Sequence, residues 1–150
     1  MTLIKKLSKY GNRTFDYAVV HGAEIGKDRL AELSIVRPGV STGMQKLMQR
    51  YIIELLTPLN DLKFHTSGCD FVKDSLGAFS EDQVRNAFAF ANALISNRMR
   101  AASTGLPDDE RLEEAELTDV SFIGDTISVS IALHNQAGSE YEIILPVYSI

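Results

Sequence analysis

The sequence predicts an α+β fold: two long amphipathic helices packed on a three-stranded antiparallel meander in the C-terminal third, behind an irregular N-terminal extension. Three observations carry this expectation. Apolar residues recur at helical spacing from Met44 to Leu56 and again from Val84 to Met99. From Val120 onward apolar and polar residues alternate instead, as they do along half-buried strands. Turn signals at Gly124-Asp125 and between Asn135 and Ser139 divide that alternation into separate strands. Residues 1–43 are read as the extension or arm, and residues 44–150 as the folded domain.

Composition narrows the function classes. With 150 residues the chain has room for one core. A hydrophobic content of 45% with 23% charged residues is ordinary for a soluble globular protein. The net charge of −5 and a pI near 5.2 argue against a general nucleic-acid binder. The single cysteine, Cys69, rules out an internal disulfide and a cysteine-based zinc site, and suits a reducing compartment. No apolar run approaches the ~20 residues of a membrane span. The basic N-terminus lacks the apolar stretch of a signal peptide, so synthesis in the cytoplasm is expected.

Taken in order, the extension opens on Leu3, Ile4 and Leu7 at helical spacing, with Lys5, Lys6, Lys9 and Arg13 ahead of any acid. Two readings suit it: a short helix with a solvated basic face, or an arm that docks on an acidic neighbour. Phe15, Tyr17 and Val19 alternate with Asp16 and Ala18, as in a short strand. Gly22, Gly26 and the Arg37-Pro38-Gly39 turn then interrupt the chain. Neither a Gly-x-Gly-x-x-Gly run nor a Walker lysine occurs here, so a nucleotide site is not expected.

The first long helix is expected from Thr42 to Thr57. Met44, Leu47, Met48, Tyr51, Ile52, Leu55 and Leu56 form one apolar stripe, and Gln45, Lys46, Gln49, Arg50 and Glu54 a wet face. Thr42 is placed to cap it and Pro58 to stop it. Leu62 and Phe64 then flank Lys63 in a loop with a short extended piece. His65 and Cys69 stand four apart, but His21 and His134 lie in unrelated segments, and a zinc site needs three or four ligands. A catalytic Cys69 would need a positioned base and an orienting group. Cys69 is therefore expected to be structural and half-buried, and no metal or cofactor is expected.

Ser80-Glu81-Asp82-Gln83 is a capping box that opens the second helix: the Ser80 hydroxyl serves the Gln83 N–H and the Gln83 side chain reaches back. Val84, Ala87, Phe88, Ala91, Leu94, Ile95 and Met99 make its apolar face, with Phe90 off the stripe. Arg98 and Arg100 suit the last turns, and Gly105 and Pro107 end the segment. Residues 108–116 then hold six acids among nine positions. Three readings fit: paired carboxylates such as Asp109 and Glu110 for glycoside hydrolysis, oxygen ligands for Ca²⁺, or a solvated acidic turn usable as a protein contact. The EF-hand glycine is missing and there is no Trp to stack a sugar, which favours the turn.

The last third is the clearest β signal. Val120 and Phe122, with Leu117 as a candidate earlier member, lead to Gly124-Asp125. Ile127, Val129, Ile131 and Leu133 alternate with Ser128, Ser130 and Ala132, and Tyr141, Ile143, Leu145 and Val147 with Glu140, Glu142 and Ile144. One face suits helices and the other is mostly polar.

The run Gln49-Arg50-Tyr51-Ile52-Ile53-Glu54-Leu55-Leu56-Thr57-Pro58, followed by Gly68-Cys69-Asp70-Phe71, resembles the opening of the small wedge proteins of contractile phage tail baseplates. Those proteins share a fold with a type VI secretion baseplate component. A long helix, then Asp109-Glu110-Arg111-Leu112, then strands ending Tyr141-Glu142-Ile143-Ile144-Leu145-Pro146 continue the likeness, which covers roughly residues 44–147. Each piece alone is common, and their order carries the weight. The family usually shows Glu-Pro-Arg between helix and sheet, whereas here Asp109-Glu110-Arg111 lacks the proline.

The resemblance implies a structural virion protein without enzymatic activity, present in several copies with other wedge proteins and the tail-sheath protein. It makes Asp109, Glu110, Arg111 and Leu112 the contact with the wedge's helical core bundle. It also implies that the sheet accepts an arm of the first sheath ring along an edge strand, Glu140 to Val147, with Tyr141, Glu142, Ile143, Ile144 and Leu145 at its centre. Neither nucleic acid nor membrane is an expected partner. Another virion connector, a tail terminator or neck protein, is the second expectation. A cell-wall muramidase using Asp109 and Glu110 is the third.

Overall fold

A computed structural model describes residues 43–59 and 67–147, together with the backbone of four short strands within residues 16–41. Those strands are β1 (Asp16–Tyr17), β2 (Val19–His21), β3 (Ala31–Leu33) and β4 (Val40–Ser41). They pair antiparallel, β1 with β4 and β2 with β3. The extension therefore carries more regular structure than its glycines suggest. Its basic residues Lys5, Lys6, Lys9 and Arg13 lie outside the described residues, as do Leu62, Phe64 and His65.

Helix α1 spans Met44–Leu56, and its stripe buries Leu47, Tyr51 and Leu55, with Met44, Met48 and Ile52 packed at the margin. Its start differs from expectation. Gly43, not Thr42, stands at the N-cap with φ 61°, and no side chain caps it. Lys46, expected on the wet face, is buried. Both departures have the same cause, a carboxylate brought in from residue 110.

The chain next forms a short helix that the sequence reading missed, α2 (Phe71–Leu76). Phe71 and Ser75 are buried and Val72 packs at the margin of the core, too few positions to make a periodic signal. The Phe71 ring meets Phe88 edge to face, with centroids 6.0 Å apart. Helix α3 runs Glu81–Ala101. Ser80 accepts from the Gln83 N–H at 3.4 Å, as a capping box requires, but the Gln83 carbonyl reaches one residue further back, to the Phe79 N–H at 2.6 Å. Val84, Ala87, Phe88, Ala91, Ile95 and Met99 are buried; Leu94, read as part of that stripe, is 38% exposed, while Phe90 stands off it at 80%.

A single 3-10 turn (Asp108–Glu110) leads into the three-stranded antiparallel sheet: β5 (Leu112–Ile123), β6 (Thr126–Asn135) and β7 (Glu140–Val147), in that order. The fold is thus α+β, as predicted. β5 begins eight residues before Val120, inside the run read as an acidic turn. Register shifts between Leu112 and Glu114 and between Leu117 and Asp119 break the alternation, so residues 112–119 do not show a period of two. Phe122, expected inward, shares the face of Val120 and stands opposite Ile127, but near the end of the strand it is 46% exposed. β6 alternates except at Ala132, which is also buried, and Ile127, Val129, Ile131 and Leu133 are all buried.

One core results. α3 packs on β5 and α2, while α1 lies against α3, α2 and the 3-10 turn. Leu47, Tyr51 and Leu55 join Val84, Ile95, Val129, Ile131 and Leu145 in a single apolar cluster.

Candidate docking edge

A three-stranded sheet has two outer edges, and an unpaired edge strand displays N–H and C=O groups that another strand can take up. Here the two edges are treated differently. Along the first half of β5, the carbonyls of Glu113, Ala115 and Leu117 each accept from a side chain of α3. Arg85 Nη1 donates to Leu117 O at 3.2 Å, Asn92 Nδ2 to Ala115 O at 3.0 Å, and Arg100 Nη2 to Glu113 O at 2.9 Å. The helix closes that edge from Glu113 to Leu117, and the two bulges distort it further.

These bonds also fix which way the other strands face. Ala115 and Leu117 turn their carbonyls outward, so their partners Leu133 and Ile131 cannot form the doubly bonded pairs with β5. Leu133 and Ile131 therefore bond β7, at Tyr141 and Ile143. The β6–β7 register is unbroken from His134↔Glu140 to Ile127↔Val147, so the parity holds along its whole length. Tyr141, Ile143, Leu145 and Val147 direct their backbone groups at β6; Glu140, Glu142, Ile144 and Pro146 direct theirs away. Pro146 agrees independently: a proline inside an intact ladder must turn its missing N–H outward. Asn135 agrees as well, since its N–H donates to Ser139 O across the β6–β7 turn at 3.0 Å. Among the described residues no strand pairs with the outer edge of β7.

Of the residues expected to face a sheath strand, Tyr141 is 50% and Ile144 69% exposed. Glu142 is exposed as well, Ile143 half-buried, and Leu145 belongs to the core. The turn expected to contact a core bundle divides in the same way. Glu110 and Leu112 point inward, at 1% and 3% exposure, and serve this chain's own fold. Glu110 Oε1 accepts from the Gly43 N–H at 3.3 Å and Oε2 faces Lys46 Nζ at 3.4 Å. A carboxylate at the open N-terminus of α1 replaces the absent cap. Only Asp109 and Arg111 keep partial exposure, Arg111 lying 3.5 Å from Asp108. Asn135 ties this turn to the sheet by donating to Asp109 O at 3.1 Å.

Two further polar clusters brace the helices. Gly68 donates to Glu54 Oε2 at 2.9 Å, and Arg98 Nη1 meets both Gly68 O at 2.6 Å and Glu54 Oε2 at 3.3 Å. Tyr51 and Ser96 both donate to Asn92 Oδ1, at 2.8 and 2.9 Å, beside a hollow of about 290 Å³ between α3 and β5. Burial pushes the Tyr51 phenol upward, with the neighbouring Cys69 adding to it. Cys69 is more deeply buried than expected, and its thiol donates to Leu55 O at 3.3 Å. Its ionisation is pushed upward by burial first, against the opposing effect of the Phe71 backbone N–H. Among the described residues no three His, Cys, Asp or Glu side chains converge as metal ligands.

Sequence reasoning located β7 but missed the closure of β5. The readable signal was the placement of Arg85, Asn92 and Arg100, seven and eight residues apart, on one side of the second helix.

Comparison with family models, with characterised proteins and with solved structures returned no match.

Proposed function

We propose that the chain is a non-catalytic structural protein of a contractile tail baseplate wedge, lending the outer edge of β7 to a strand of the first sheath ring. The observation that supports this most is the inequality of the two sheet edges. Side chains from α3 occupy the carbonyls of Glu113, Ala115 and Leu117 in the first half of β5, whereas the outward groups of Glu140, Glu142 and Ile144 have no strand partner among the described residues. Strand addition supplies affinity through the main chain and specificity through alternate side chains.

The order of the segments at 49–58, 68–71, 109–112 and 141–146 supports the wedge assignment, with α3 packed on the sheet and α1 packed on α3. In this reading the exposed parts of Asp109 and Arg111 meet the wedge's helical core bundle, and Glu110 and Leu112 hold the turn in place from within. The basic residues Lys5, Lys6, Lys9 and Arg13 belong to an arm that meets an acidic neighbour. Several copies stand around the tail in a symmetric virion assembly, with other wedge proteins and the sheath as partners.

Electron microscopy of particles labelled on this protein tests the assignment. Label at the distal end of the tail is expected; label at the head junction overturns it in favour of a tail terminator or neck connector. A paired substitution tests the edge. Ile144→Pro removes an outward N–H and is expected to leave the isolated chain folded while abolishing sheath attachment. Ile143→Pro removes a bond to β6 and is expected to lower the melting temperature of the isolated chain. Sheath attachment by the Ile144→Pro protein would contradict the reading.

A further inference from the structure

The outer face of the sheet carries a charge pattern that β7 shares with its neighbours. Cross-strand register places Glu114, His134 and Glu140 in one row, Glu116, Ala132 and Glu142 in the next, and Asp119, Ser130 and Ile144 in a third. All five carboxylate residues are exposed, and neither lysine nor arginine stands in these rows. Thr118 Oγ1 stands 3.1 Å from Ser130 O and 3.2 Å from Glu142 Oε1, and its single proton is shared between these two acceptors. The inner face beside the same edge is apolar: Tyr141 is half exposed and Ile143 half-buried at the border of the core.

From this pattern we infer that β7 selects an extended partner segment in which Lys or Arg alternates with apolar residues. The inference rests on the reading of β7 as a docking edge and adds the chemistry of its occupant. A strand pairing with the outward N–H and C=O groups of Glu140, Glu142 and Ile144 sends alternate side chains to opposite faces. Those on the outer face lie directly across from Glu140 and Glu142, where a cation is attracted and a third row of carboxylates is repelled. Those on the inner face extend the core past Tyr141 and Ile143. Pro146 has no N–H to offer, so the paired segment ends opposite it. Glu140 and Glu142 thus act as a filter on which strand can add, not as a site of their own.

Three blocked octapeptides test this against the isotope-labelled full chain: alternating Val and Lys, alternating Val and Glu, and alternating Val and Thr. The Val–Lys peptide is expected to slow amide exchange at Glu142 and Ile144. It is expected to bind about 2- to 30-fold more tightly than Val–Thr, from two cross-strand charge pairs. The double variant Glu140→Lys with Glu142→Lys is expected to invert the order in favour of Val–Glu. Equal protection by all three peptides leaves β7 a docking edge and overturns the cationic preference. Binding of Val–Lys with unchanged exchange at Glu142 and Ile144 overturns the proposal, because the peptide then sits on the acidic face without joining the edge. No protection by any peptide overturns the docking edge together with its chemistry.

Discussion

Replacing Gly68 by alanine is expected to lower stability by about 2–5 kcal/mol, from left-handed strain together with overpacking. Gly68 sits at φ +71°, a conformation that side chains resist, and an added Cβ would stand 2.3 Å from Thr57 O and 2.4 Å from Pro58 O. Both obstacles are backbone, so no rotamer change relieves them. The cost spreads because Gly68 also donates to Glu54 and accepts from Arg98, joining the end of α1 to α3. Thermal unfolding followed by circular dichroism should show a fall in Tm of roughly 4–20 °C. Gly105→Ala is the control. That glycine has φ +81° but nothing within 4 Å of an added Cβ, so only the strain of about 1–2 kcal/mol remains. Equal losses in the two variants would show that the close approach at Gly68 contributes nothing.

Glu110→Ala is expected to cost about 3–5 kcal/mol, the range for removing one partner of a buried ion pair. Glu110 is 1% exposed, and its carboxylate holds the Gly43 N–H and Lys46 across more than sixty positions of sequence. Truncation leaves Lys46 buried without this carboxylate and the first turn of α1 without its anion. Glu110→Gln retains an acceptor for Gly43 and should lie between wild type and alanine. Lys46→Met combined with Glu110→Leu should recover most of the loss, because replacing both charges by apolar groups removes the desolvation penalty as well. Chemical denaturation of the set gives the coupling directly. A double variant as unstable as Glu110→Ala would mean that the carboxylate acts through groups other than Lys46.

These two sites also mark the limit of what the sequence allows to be read. Periodicity suffices for α1, α3 and β6, because there the buried face is set by local spacing: Leu47, Tyr51 and Leu55 on one helix, Val129, Ile131 and Leu133 on the strand. It fails where tertiary contacts overrule spacing. Lys46 and Glu54 stand on the predicted wet face of α1, yet each is drawn to a group far along the chain, Lys46 to Glu110 and Glu54 to Arg98. The first half of β5 is hidden because its bulges send acids such as Glu113 and Glu114 out in succession, and six acids in nine positions then resemble a solvated turn. α2 is hidden by its length. For the candidate site, the alternation of residues 140–147 locates a strand, but nothing in that strand tells whether its flank is open. That depends on where α3 lies, and α3 lies along β5 because Arg85, Asn92 and Arg100 reach its carbonyls.

Among the described residues β7 pairs with one strand only, β6. Residue-resolved amide hydrogen exchange on the isolated chain tests it most directly, because an edge strand protects alternate amides. Slow exchange is expected at Tyr141, Ile143, Leu145 and Val147, with Glu142 and Ile144 exchanging fast between them. Uniform slow exchange from Tyr141 to Val147 would mean that the outer flank is already paired, and would contradict the account.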